Sequence, residues 1–345
     1  MTTKQATPHT STTATTATTA QTVLFDEIGG PEVLKVREVE LPAPGPDDVL
    51  IRVEAIGLNR AEALLRSGTY YYPPTLPASR NGYEAAGVIE AVGADVTAFA
   101  PGDTVLTTGN FELSAHGVYA NRVVLPQHAV ARRPADVDAV TAAAVWLTYT
   151  TAYGALHLRA GMRPGDHVLI TGASSGVGTA ALQVARRAGA TPIATTRTED
   201  KHRQLLDLGA EHVIVTDTED VAKETKRLTE GRGADIVLDA IGGPAFRTLG
   251  EAAAEDATYI LYGWLDGRPA TVPMTWPVTV HGYNNALVTD TPDARRRASA
   301  YLNSGLRDGT LRPQIAQTFD GLDRMPDAHR LMETNTHIGK IVVRP

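Results

Sequence analysis

Residues 166–178 read DHVLITGASSGVG. A short apolar run, Val168, Leu169 and Ile170, meets a turn of small residues at 171–175. It continues through Gly176, Val177 and Gly178 into TAALQVARRAGA. There Ala181, Leu182, Val184 and Ala185 form an apolar stripe at helical spacing. The pattern predicts a strand, a tight turn and a helix start. Such a turn points unpaired backbone N–H groups and the positive helix end at an anion. Small residues alone would serve a plain β–α connection equally well, so the meaning of the turn rests on its surroundings.

From His167 onward strands and helices alternate: HVLITG, a helix from Thr179, TPIATT, KHRQLLDLG, HVIVTD, a helix near 219–229, DIVLDAIGG, a helix near 245–254, and TYILYG. This rhythm predicts right-handed βαβ units on a parallel sheet. Upstream the texture differs. VLKVREVELP, DDVLIRVEAIGL, AAGVIEAVG and GVYANRVVLP are short strands separated by PAPGPD, PPTLP and APGD, which implies a β-rich, barrel-like domain. Between the two regions AAAVWLTYTTAYGALHL reads as helical. Beyond Asp290, DARRRASAYLNSGLRDG is an amphipathic helix with a glycine stop. LRPQIAQTF and KIVVRP are strand-like and are expected to rejoin the β-rich domain. Residues 1–21, nearly all Thr, Ala and Gln around few other side chains, cannot bury enough surface to offset ordering and are expected to be a disordered tail.

At 345 residues the chain exceeds one typical core and suggests two domains. A formal charge of −7 with no basic patch argues against nucleic acid as a partner. No run approaches the roughly 18 apolar residues that cross a bilayer, so no membrane partner is expected. The absence of cysteine excludes disulfides and thiolate zinc sites and fits a cytoplasmic enzyme.

The second strand of the alternating region ends at Thr196, eighteen residues beyond Gly178. An NAD site places Asp or Glu there, against the ribose 2′-hydroxyl. Here Thr196 is followed by Arg197 and then Lys201. A carboxylate would repel a 2′-phosphate, whereas hydroxyls and cations attract it, and one charge-assisted bond is worth roughly 1.5–3 kcal/mol. NADPH is therefore the expected cofactor.

With these features assembled, the chain resembles the medium-chain dehydrogenase/reductases, in their zinc-independent quinone oxidoreductase (zeta-crystallin-like) branch. The resemblance runs from Val23 to Pro345. It is carried by AIGLNRAEALLRSGTY (55–70), NGYEAAGVIEAVGADVTAFAPGDTV (81–105), AAAVWLTYTTAYGAL (142–156), GDHVLITGASSGVG (165–178), GADIVLDAIGG (233–243) and HIGKIVV (337–343). It implies an α/β architecture: a GroES-like β-rich catalytic domain split over 22–147 and 287–345, and a Rossmann doubly wound parallel sheet domain over 148–286. Nicotinamide and substrate would meet in the cleft between them. Zinc-dependent relatives carry a catalytic Cys and a Gly-His-Glu motif. This chain has no Cys and reads Gly82-Tyr83-Glu84, so no metal site is expected. Ala173 and Ser175 stand where the alcohol dehydrogenases have glycines, which looks like the AxxGxxG form of NADPH-using quinone reductases.

Without a metal Lewis acid, a conjugated acceptor is the easier substrate, because hydride arriving at its β-carbon leaves an enolate that needs only modest stabilisation. The expected reaction is hydride transfer from NADPH to a small apolar or aromatic quinone or α,β-unsaturated carbonyl. Enoyl-thioester reduction and non-catalytic NADPH binding, as in a crystallin or a sensor, are the alternatives.

The resemblance implies Asn59 beside the nicotinamide. It implies Tyr70 as substrate-orienting group or proton donor, with an aromatic loop wall as the plainer role; Tyr83, in place of a metal ligand, is expected to point into the cleft and chiefly to fill space. The cofactor site it implies comprises Ala173, Ser174, Ser175, Gly176, Val177 and Gly178 at the turn, and Thr148, Tyr262 and Gly263 along the cleft. Asn335 and Lys340 come from the C-terminal segment, and Asp239 shapes the turn beside the adenosine. Loops 70–76, 110–116 and 264–284, with Phe111, Trp264 and Trp276, would line the substrate pocket. The segment WPVTVHGYNN resembles the edge strand through which these enzymes form homodimers.

Overall fold

In the computed structural model, residues 18–275 and 277–345 are described; residues 1–17 and Trp276 lie outside the described residues. The Gly/Pro-punctuated N-terminal part pairs antiparallel. Strands β1 (Thr18–Leu24) and β2 (Lys35–Leu41) form a two-stranded ribbon. β3 (Asp48–Gly57) is mostly buried and pairs on its two edges with β4 (Glu84–Val92) and with β6 (Arg122–Pro126); β5 (Thr104–Thr107) and β7 (Val130–Arg132) extend the sheet beyond β4. Val49, Ile51, Val53, Ile56, Ala85 and Ile89 point from these strands into one apolar core.

The alternating region contributes β8 (His167–Ile170), β9 (Thr191–Thr196), β10 (His212–Val215), β11 (Ala234–Asp239), β12 (Ala253–Leu261) and β13 (Thr279–Gly282). They form one parallel sheet in the order β10-β9-β8-β11-β12-β13. Successive side chains of a strand face opposite sides, and both sides are covered. Val168, Ile170, Ile236 and Leu238 join one core, and Leu169, Ile193 and Val237 join another. Strand order reverses between β8 and β11. The turn after β8 therefore opens at a topological switch point, where doubly wound sheets bind ligands.

The chain then returns. β14 (Ile315–Asp320) and β15 (Lys340–Arg344) pair parallel, and β15 lies antiparallel on β3, closing the catalytic sheet. LRPQIAQTF and KIVVRP thus rejoin the β-rich domain, as their pattern predicts.

Three expectations need correction. Residues 18–21, assigned to the disordered tail, are the first half of β1. Backbone pairing with β2 requires no large side chains, and Ala20 is buried beside Leu41 and Leu50. The helix Pro292–Asp308, assigned to the catalytic domain by the division at 286/287, packs Ala298 and Leu302 into the core of Val168 and Leu182. It therefore belongs on the parallel-sheet side. The helical run AAAVWLTYTTAYGALHL is not continuous. It comprises the end of Ala139–Ala142, then Trp146–Tyr153, then a wider π-type turn over Gly154–Arg159.

Candidate active site

A cleft of about 1680 Å³ separates the two sheets. Its first wall is the turn after β8. Gly172 takes φ +56°, a left-handed conformation that bends the chain out of the strand. Ser175 is the N-cap of the helix Gly176–Arg187, and its hydroxyl accepts from the Gly178 N–H at 3.0 Å. Ser174, Ser175, Gly176 and Val177 line the cleft. Ala173 and Gly178 do not: Ala173 is fully buried, and a Cβ at Gly178 would lie 2.5 Å from the Gly172 carbonyl oxygen. These two let the helix approach the turn and offer no surface to a ligand.

At the end of β9, Thr196, Arg197 and Lys201 all reach the cleft, but the two cations differ. Arg197 is exposed and makes no ion pair among the described residues. Lys201 is only 8% exposed, with burial pulling its pKa down. Its ammonium donates to Ser174 Oγ at 3.2 Å, the Asn335 carbonyl at 2.9 Å and the His337 carbonyl at 3.4 Å. The Gly339 N–H also donates to the Ser174 carbonyl at 2.9 Å. The C-terminal segment of the catalytic domain is thereby fastened across the turn. Asp200 lines the same cleft and offsets part of the positive charge, a feature the sequence reading passed over.

The opposite wall is built from distant segments. Asn59 caps the helix Arg60–Arg66 in a capping box with Glu62. Glu62 is fully buried and accepts from the Asn59 N–H at 2.6 Å, Asn59 Nδ2 at 3.0 Å, the Tyr83 N–H at 2.9 Å and the Tyr119 hydroxyl at 2.5 Å. Burial raises its pKa and these donors oppose that rise. Lys340 donates to Asn59 Oδ1 and, at 2.6 Å, to Glu84 Oε2. The other Glu84 oxygen accepts from the Leu147 N–H at 3.0 Å. Two carboxylates and one ammonium therefore hold the Asn59 amide in a single orientation.

Three phenols also line the cleft. Tyr83 Oη lies 3.2 Å from Tyr70 Oη and 3.1 Å from Tyr72 Oη. Phe111 packs on Tyr83, and Trp264 faces Tyr70 with ring centroids 6.5 Å apart. Tyr83, expected to point into the cleft and chiefly to fill space, is the centre of a hydroxyl cluster on the cleft wall.

Of the remaining expected residues, Thr148 lines the cleft, but its hydroxyl is spent on the Ala144 carbonyl at 2.7 Å. Tyr262 and Gly263 line it too, and a Cβ at Gly263 would meet the Ala240 carbonyl oxygen at 2.6 Å. Asn335 ends the helix Met325–Thr334 in a left-handed conformation, its side chain held by Arg60. Asp239 is not on the cleft surface. It is buried, accepting from the Thr171 hydroxyl and from the N–H groups of Ile241 at 3.2 Å and Gly242 at 2.8 Å, so it braces the next turn. Glu62, Glu84 and Arg60 were missed. The available signal was a charged residue flush against an apolar strand, Glu84 before Ala85 and Lys340 before Ile341, which demands a buried partner.

Residues 45–135 match the family described as alcohol dehydrogenase GroES-like domain, and residues 176–285 match the family described as zinc-binding dehydrogenase. A quinone oxidoreductase of Lama guanicoe is 33% identical over 330 residues, covering 94% of this chain and 97% of that protein. A 2-haloacrylate reductase of a Burkholderia species is 31% identical, covering 92% and 96%. The structure of Escherichia coli quinone oxidoreductase complexed with NADPH superposes with a TM-score of 0.87 at 27% identity, covering 95% of this chain and all of that one.

The side chains here do not fit the zinc named in one family description. The chain has no cysteine, the Tyr83 hydroxyl is shared with Tyr70 and Tyr72, and no group of three or more His, Cys, Asp or Glu among the described residues could hold a metal.

Proposed function

Because this chain belongs to the medium-chain dehydrogenase/reductase superfamily, in its quinone oxidoreductase branch, we propose that it is an NADPH-dependent reductase of quinones and α,β-unsaturated carbonyls. The observation that carries the cofactor assignment is Lys201. A cation sunk beside the glycine turn donates only to neutral oxygens, with Asp200 nearby but not paired to it among the described residues, and a 2′-phosphate supplies a direct anionic partner. Arg197 and Thr196 complete that subsite. Ser174, Ser175, Gly176 and Val177 would hold the pyrophosphate. Thr148, Tyr262, Gly263, Asn59 and Lys340 would border the nicotinamide half, and Asn335, whose carbonyl holds Lys201, would border the phosphate end. When bound, the dinucleotide supplies a hydride.

The chain's own contribution is positional. Glu62 and Lys340 fix the Asn59 amide, Tyr70 reaches the cleft from the facing loop, and the rings of Phe111, Tyr70 and Trp264 keep the acceptor's side of the cleft apolar. An apolar, aromatic wall suits a quinone or a small enone. The exposed edge strand β13 is the surface through which we place a homodimer. No helix among the described residues is long and apolar enough to cross a membrane, and a cytoplasmic setting accords with a chain without cysteine.

Oxidation of NADPH and of NADH, measured against a panel of quinones, enones and crotonyl thioester, tests the reading. NADPH-dependent turnover of quinones and free enones is expected. Turnover confined to the thioester would instead make the protein an enoyl-thioester reductase. Tight NADPH binding with every acceptor inert would make it a binding protein.

A further inference from the structure

The three phenols at 70, 72 and 83 can be counted. Each carries one O–H proton, and the cluster contains two hydrogen bonds, both through Tyr83. If Tyr83 accepts from both neighbours, its own proton is left over. If it donates to one neighbour, that neighbour's proton is left over. Every arrangement leaves one O–H unused within the cluster, and all three rings line the cleft. Resting on the reductase reading above, we propose that Tyr70, Tyr72 and Tyr83 form an oxyanion site for the acceptor's carbonyl oxygen. Tyr83 is its hub, the phenols stay protonated throughout, and water supplies the proton.

The chemistry balances as follows. A C–H bond forms at the β-carbon of an enone, the C=C pair shifts toward the carbonyl, and the oxygen becomes an enolate anion that accepts the unused O–H. The donor dinucleotide is oxidised by two electrons and the acceptor is reduced by two. Water then protonates the α-carbon; for a quinone, it protonates the hydroquinone anion. A phenol that gave up its own proton would have to exist as phenolate inside this cluster. Burial opposes that at each ring. The cluster is therefore suited to donating a hydrogen bond and unsuited to acting as an acid. Its hub, Tyr83, stands where the resemblance places the histidine of the Gly-His-Glu motif, and the cluster would supply by hydrogen bonding part of the polarisation that a metal can supply.

Tyr83→Phe keeps the ring against Phe111 and removes the hub, and Tyr72→Phe is the companion variant if the first folds poorly. Loss of an oxyanion donor costs roughly a hundredfold in kcat. The enone carries more charge on oxygen in its transition state than the easily reduced quinone. Tyr83→Phe should therefore lower kcat by about a hundredfold on an enone and by less than about tenfold on a quinone, with the Kd for NADPH unchanged. Equal losses on both acceptors would mark a merely structural role and overturn the proposal, as would no loss on either.

A readout independent of turnover is 4-nitrophenolate, followed by absorbance at a pH where the free probe is ionised. Binding to the wild type about tenfold tighter than to Tyr83→Phe supports the site, and equal binding overturns it. If the wild type reduces no acceptor, the reductase reading fails, and the probe still decides the oxyanion site by itself.

Discussion

The dinucleotide wall of the cleft comes from one continuous turn and the loop that ends the next strand, 172–177 and 195–201. The facing wall gathers Asn59, Glu62, Tyr70, Tyr83, Glu84 and Lys340 from segments separated by up to 281 residues. The first wall works largely through backbone groups and a helix end, with Arg197, Asp200 and Lys201 as its charged side chains. The second works through side chains that are correct only in combination. Glu62 takes four donors, and Lys340 is shared between Asn59 and Glu84. A wall made locally should tolerate changes elsewhere in the chain. A wall made by convergence should fail when any one contributor is removed.

The sharpest way to break this contrast is Lys340→Met. It strands Glu84, which is 1% exposed, with only the Leu147 N–H as partner. Removing one member of a buried ion pair costs about 3–5 kcal/mol, read as a fall in the urea midpoint. The double variant Lys340→Met/Glu84→Gln should recover part of it. A loss below about 1 kcal/mol, the range of exposed pairs, would show that the pair does not hold the wall.

On the dinucleotide side the expected effect is narrower. Arg197→Glu should raise the Kd for NADPH by about ten- to a hundredfold, the worth of one charge-assisted bond, and leave that for NADH nearly unchanged. Equal changes for both would remove Arg197 from the 2′-phosphate subsite.

A third measurement probes the support behind the convergent wall. His329 lies buried against Tyr119, which in turn donates to Glu62. Burial, with Arg66 and Arg60 nearby, lowers its pKa from 6.5 to about 3. The unfolded chain therefore binds a proton that the folded chain refuses. Stability is intact above pH 6.5 and falls as pH drops from there toward 3, with a slope of about 1.4 kcal/mol per pH unit from this group. His329→Gln should flatten that limb in pH-dependent denaturation. An unaltered limb would mean that other groups carry it.

The smallest expected effect is none. Dialysis against a chelator should leave turnover unchanged, because the donor set does not suit zinc. Stoichiometric zinc in protein purified without added metal would refute this.

Legibility in the sequence followed the same divide. The strand-turn-helix at 166–178 was readable because its period, its small residues and its place at the first βα junction are local facts. The missing acid at Thr196 was readable for the same reason. The fate of Lys201 was not. In sequence it is a loop cation, and only the return of 335–339 over the turn buries it. Tyr83 was similarly opaque, since a tyrosine in place of a metal ligand reads as filler until Tyr70 and Tyr72 are seen at its hydroxyl. The tail shows the opposite error: poverty of side chains suggested disorder through residue 21, but a strand edge asks only for backbone.

By itself the sequence determined two domains of different secondary-structure rhythm, a dinucleotide turn, a preference for a phosphorylated ribose and a chain unable to build a thiolate metal site. Each follows from residue type at short spacing, which governs local conformation and local charge. The tertiary structure alone decided which carboxylates Asn59 and Lys340 answer to, which cation is buried, and that three phenols share one hydroxyl hub. Those are contacts between distant segments, and the hydrogen-bond partner of a buried polar group is a property of the folded packing, not of its neighbours along the chain.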